Sequence, residues 1–197
     1  MPSQSQPLPV LHRLLTLADA APRPGFLLLL GPHAASQAML ALAAHLALRS
    51  SLRILDGGNR FNAYLVARAL RRLSPASPLP ALARIQVARA FTCYQMAALI
   101  ESQPPVALPT LVIDLLDTFY DQSASLHERR RLLHRCLARL QRLSQGAPTV
   151  VSLRPPPPGQ TDPTGLQDLV HDAAAQLFIL EVPASPRQSS AAQLDLF

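Results

Sequence analysis

Residues 26–40, FLLLLGPHAASQAML, set an apolar run, a glycine and a helical pattern in succession, which is where a phosphate-binding loop would be built. Such a loop follows G-x-x-x-x-G-K-[ST]: backbone N–H groups close round the phosphates, a lysine neutralises them and a hydroxyl holds magnesium. Gly31 stands at the first glycine, Ser36 at the second, Gln37 at the lysine and Ala38 at the hydroxyl position. Gln37 and Ala38 supply neither the charge nor the metal ligand. The chain contains no lysine at all, so none elsewhere stands in.

A second group able to do chemistry is the arginine series Arg131, Arg135, Arg139 and Arg142. At 100° per residue these fall within a helical stripe about 80° wide, with Leu133, Cys136, Leu137, Leu140 and Leu143 opposite. Two readings stand: a phosphate-facing stripe for weak, sequence-independent DNA contact, or an ordinary solvated face written in arginine. Arg68, Arg71 and Arg72 on the preceding helical stretch admit the same two. Cys93 and Cys136 read as small buried hydrophobes of a reducing compartment, and nothing in the sequence orients His127 or His134 to activate either thiol. The six histidines show no ligand spacing, so no metal site and no cofactor is expected.

The elements that would position these residues alternate. Strands are expected at 26–30, 52–56, 83–90, 110–114, 148–153 and 175–182, and helices at 10–20, 35–49, 61–73, 93–102 and 124–143. FLLLL and TLVID are apolar on both faces, as central parallel strands must be. The alternation predicts an α/β fold with a mainly parallel sheet and helices on both faces. The domain reading is an N-terminal extension over 1–24, a core over 25–182 and a disordered Pro/Ser/Ala/Gln-rich tail over 183–197. Twenty prolines in 197 residues, about twice the usual share, cluster in the expected connections. The net charge of +6 permits nucleic-acid contact without requiring it. With neither a basic-then-apolar leader nor a run of 18 apolar residues, a soluble, cytoplasmic protein is expected.

The order of landmarks over residues 25–182 resembles the core of the RecA/RadA recombinases. FLLLLGP sits where that family has its P-loop, and ILDGGNRF (54–61) resembles the family's second strand with its Asp-Thr-Glu-Gly-Thr-Phe ending. VARAFTCYQMAALIE (87–101) is similar to the family's Ala-Arg-Ala-Phe/Tyr stretch and following helix. TLVIDLLDTFYD (110–121) resembles the Walker B strand, with Asp114 in the acidic position, and HDAAAQLFIL (171–180) the histidine-led strand near the core's end. The resemblance implies a nucleotide site, degenerate here at Gly31, Ser36, Gln37, Ala38 and Gly58, with Asp114 retained. Gly58 stands where the family has the water-activating glutamate, and Arg154 where it has a polar residue. The loop 154–165, where recombinases carry a DNA-binding loop, is short and holds four consecutive prolines.

The last five residues, Gln193, Leu194, Asp195, Leu196 and Phe197, resemble the bacterial sliding-clamp-binding peptide at every position. That resemblance implies a glutamine in a small polar subsite and two leucines and an aromatic in a hydrophobic cleft. The resulting expectation is a RecA-like accessory protein without enzymatic activity. It would serve bacterial DNA repair, the SOS response to DNA damage or translesion synthesis, on the theme of the ImuA-type mutagenesis accessories. The clamp and an error-prone polymerase or another RecA-like protein would be its partners. Two alternatives stand beside it: a subunit of a composite ATPase completed by an intact RecA-like partner, and a SulA-like protein-binding inhibitor.

Overall fold

The computed structural model describes residues 25–31, 33–121, 123–154 and 164–180, together with positions 12 and 16; side chains at 33–36 are not described. The expected helix over 10–20, most of the loop 154–165 and the tail 183–197 therefore lie outside the described residues. In chain order the elements are β1 (Leu27–Leu30), α1 (His33–Arg49), β2 (Leu52–Asp56), α2 (Ala63–Leu73), α3 (Leu79–Leu82), β3 (Ile85–Arg89) and α4 (Cys93–Glu101). They continue with β4 (Thr110–Ile113), a 3-10 turn (Leu115–Thr118), α5 (Leu126–Ser144), β5 (Thr149–Leu153), α6 (Leu166–Ala173) and β6 (Gln176–Ile179).

The six strands form one sheet in the order β3-β2-β4-β5-β1-β6. Every pairing is parallel, from Leu27↔Val150 and Leu27↔Gln176 in the β1 pairs to Leu52↔Ile85 at the other end. The chain crosses the sheet in one direction from β1 to β3 and returns from β3 to β6. Crossovers of a single hand then place the helices of the outward leg on one face and those of the return leg on the other. The packing agrees: α1, α2 and α3 cover one face, around Leu29, Met39, Leu42, Ile54, Leu70 and Ile113. The 3-10 turn, α4, α5 and α6 cover the other, around Phe26, Leu28, Leu55, Met96, Leu133 and Val151.

Local sequence sets the helix starts. The Asn62 side chain accepts from the N–H groups of Tyr64 and Leu65, Thr92 from Gln95, and Ser125 from Glu128, each satisfying a donor that the first turn leaves over. Two expectations need correction. His171 does not lead a strand: it lies in α6, and β6 begins only at Gln176. α1 begins at His33 instead of residue 35, so only Gly31 and residue 32 separate it from β1.

Among the described residues no helix is long and apolar enough to cross a membrane.

Candidate functional site

Because all six strands run the same way, their carboxyl ends share one edge, the edge where open α/β sheets bind ligands. Asp56 ends β2, and Asp114 follows β4; both are fully buried. Their partners differ. Asp56 accepts from the backbone N–H groups of Arg60 and Phe61, each at 2.9 Å, and from Arg89 Nε at 3.3 Å. It therefore folds the 57–61 turn back onto β2 and pins it to β3.

Asp114 has φ +50° and ψ +57°, a left-handed conformation that a short polar side chain tolerates better than most. Its N–H donates to Ser152 Oγ at 3.0 Å, and that hydroxyl donates back to Asp114 Oδ1 at 3.1 Å, tying β4 to β5. On the other oxygen, Arg154 Nε stands at 3.7 Å and Arg60 Nε at 4.0 Å. Arg154 also donates through Nη2 to Asp117. Two guanidinium groups thus flank Oδ2, and the carboxylate–arginine cluster bridges the ends of β2, β4 and β5.

Gly58 comes into this cluster through its backbone. A Cβ there would sit 2.7 Å from Asp114 Cβ and 2.9 Å from its Oδ2. Gly57 is as confined, with a Cβ meeting Met96 Cε at 2.7 Å. The double glycine lets the β2 turn close over Asp114, and no side chain at position 58 fits that approach.

The sequence-predicted nucleotide residues are only partly brought together. Gly31 follows β1 directly, with its N–H donating to Leu153 O at 3.2 Å. Gly58 and Asp114 meet. Ser36, Gln37 and Ala38 do not join them as a loop, because α1 already runs through all three. A cradle of backbone N–H groups needs a loop between the two glycine positions; here most of that stretch is helix, with its N–H groups directed along the axis. Ala38 is buried in the core, and exposed Gln37 lines a groove of about 310 Å³ between α1 and α2 with Leu65, Arg68 and Arg72.

The arginine stripe has a specific partner at each position. Arg131 makes two bonds to Glu128, at 2.7 and 2.8 Å. Arg135 Nη2 bonds Glu101 at 2.6 Å, Arg139 Nη2 donates to the Gln103 carbonyl, and Arg142 Nε donates to the Ala138 carbonyl at 3.3 Å. Burial and the 3-10 and α4 packing place Cys93 and Cys136 inside, both free thiols; burial pushes the Cys136 thiol up to about 12 and raises that of Cys93 as well. Among the described residues no group of three His, Cys, Asp or Glu is placed to hold a metal ion.

Sequence reasoning missed Arg60, Asp117 and Ser152 as members of the strand-end cluster. The repeat of aspartates in DLLD (114–117) was the one local signal; the rest depends on pairing between distant strands. No protein-family model matches the chain, and a search of curated proteins found no match. What the arrangement can do chemically follows from its charges: the cluster neutralises itself and joins three strand ends by ion pairs.

Proposed function

We propose that this chain is a non-catalytic, RecA-like accessory protein of bacterial DNA repair and translesion synthesis, brought to the sliding clamp by Gln193–Phe197. The pentapeptide QLDLF carries the recruitment reading: it offers two leucines and an aromatic for an apolar cleft, with a glutamine to fix register. A core without hydrolysis is supported by the strand ends. Arg154 and Arg60 occupy the space beside Asp114 that a metal-bound nucleotide would need, Gly58 has no room for a glutamate, and α1 runs through Gln37. The same crowding makes a composite ATPase less well supported, because the magnesium of a nucleotide shared with a partner would have to displace two arginines from Asp114.

The test is titration of a purified bacterial clamp with the full chain, a Leu196→Ala/Phe197→Ala double variant and a version ending at Ala192. Burying each of the two side chains contributes about 1.5–3 kcal/mol before ordering costs. The full chain should bind at micromolar concentrations and the other two at least tenfold more weakly. Equal binding by all three, or no binding at tens of micromolar, refutes the reading.

A further inference from the structure

β2 reads as a buried strand, yet its second residue is Arg53, 4% exposed, on the face covered by α4 and α5. Its Nη1 is buried without a hydrogen-bond partner. The neighbouring charge is another cation, Arg139, whose Nε is also buried without a partner. Burial and this repulsion both disfavour the charged form of Arg53. Arg139 also lines an open pocket of about 350 Å³ at the end of α4, together with Glu101, Arg135, Ala138 and Arg142. Three guanidinium groups, those of Arg135, Arg139 and Arg142, therefore share the pocket with one carboxylate, Glu101, which is already bonded to Arg135. Buried charge without a counter-charge is costly, and Arg53 and Arg139 each keep a donor unused.

We infer that this pocket, at the opposite end of α4 from Thr92, is an anion site for a compact phosphate-bearing ligand held by Arg135, Arg139 and Arg142, with the buried Arg53 adding positive charge that acts on Arg139. Planar guanidinium forks match phosphate oxygens in pairs, and a phosphate brings the negative charge that the cluster lacks. The pocket excludes Arg131, which is turned to Glu128, so the stripe read from the sequence divides: three arginines converge and one does not. The site does not depend on clamp recruitment and lies apart from the Asp114 cluster. Its phosphate would come either from a small molecule or from the terminal phosphate of a DNA strand.

The experiment follows thermal unfolding and equilibrium binding of the full chain with sodium pyrophosphate, with a 5′-phosphorylated oligonucleotide and with the same oligonucleotide unphosphorylated, each at matched ionic strength. Arg142→Gln and Arg135→Gln replace exposed side chains and keep the fold testable; Asp114→Asn is the control at the other cluster. Pyrophosphate at ten times its Kd should raise Tm by about 3–5 °C. The shift should vanish in both arginine variants and persist in Asp114→Asn. A response to the 5′-phosphorylated strand alone, lost in the same variants, assigns the site to a DNA end. Overturning results are no response to pyrophosphate or the 5′-phosphate, a response unchanged by both arginine substitutions, or equal binding of the two oligonucleotides without pyrophosphate binding.

Discussion

Replacing Arg53 with methionine should make the free protein more stable, against the usual direction for a buried position. The guanidinium is 4% exposed, Nη1 has no acceptor, and the charge of Arg139 acting on it is of like sign. An unpartnered buried polar group costs about 1–3 kcal/mol, and methionine retains the apolar stem in similar volume, so little cavity cost is added. For a base whose folded pKa lies below the ordinary value, folding disfavours the charged form. The cost is complete at every pH below the folded pKa and is relieved only as the pH climbs through it. An arginine side chain keeps its proton at pH 7, so the penalty operates there. Its removal should raise Tm by about 2–12 °C, at about 2–4 °C per kcal/mol for a chain of this size. Arg129 gives the contrast. It is also buried, and its Nε likewise lacks a hydrogen-bond partner, but its Nη1 donates to the Phe119 carbonyl at 3.0 Å; losing that bond and leaving the carbonyl unpaired, Arg129→Met should lose about 1–3 kcal/mol. Urea denaturation with coincident fluorescence and circular-dichroism transitions measures both. A loss of 1 kcal/mol or more in Arg53→Met would show that Arg53 is compensated after all and would refute the argument.

Gly58→Ala should destabilise by about 1–3 kcal/mol in the same assay, because its Cβ would meet Asp114 Cβ at 2.7 Å. Asp114→Asn should cost about 1–3 kcal/mol, less than a fully buried pair would, because Arg60 and Arg154 are each a third or more exposed. Cys136, with its thiol pushed up to about 12, should resist iodoacetamide at pH 8 in the native state and react only as added urea unfolds the chain; mass spectrometry of alkylated peptides reads this directly.

The strands were legible because a parallel sheet buried on both faces demands continuous apolar runs, and FLLLL and TLVI supply them. Strand order was not legible, since nothing in a strand's own residues says which distant strand it pairs with. α6 escaped notice because it follows a proline-rich stretch and carries only two buried residues, Leu166 and Val170. Of the strand-end cluster, Asp114 and Gly58 could be singled out one at a time, while their 2.7 Å approach is a property of the β2–β4 pairing. Arg53 was not singled out: nothing in LRILD says that its arginine ends up 4% exposed and within reach of the like charge of Arg139 on α5, which depends on packing between distant elements. The arginine stripe was correctly placed on one helical face, but the partners that separate Arg131 from the others, Glu128 against Glu101 and Gln103, come partly from α4 and the segment after it.

The position of β1 has a consequence for synthesis. It is the first described strand to leave the ribosome, and its only neighbours in the sheet are β5 and β6, the last two. Leu27 cannot meet Val150 until more than 120 further residues have been translated, about 6–25 s at 5–20 residues per second. Meanwhile β2, β3 and β4 can pair among themselves within residues 52–113. The nascent chain should therefore assemble from its middle, with Phe26, Leu28 and Leu29, all inside the finished protein, exposed throughout that interval. Holding those residues apart from other apolar segments is work for a chaperone at the exit tunnel, and a message truncated before β5 would leave the strand with nothing to pair with.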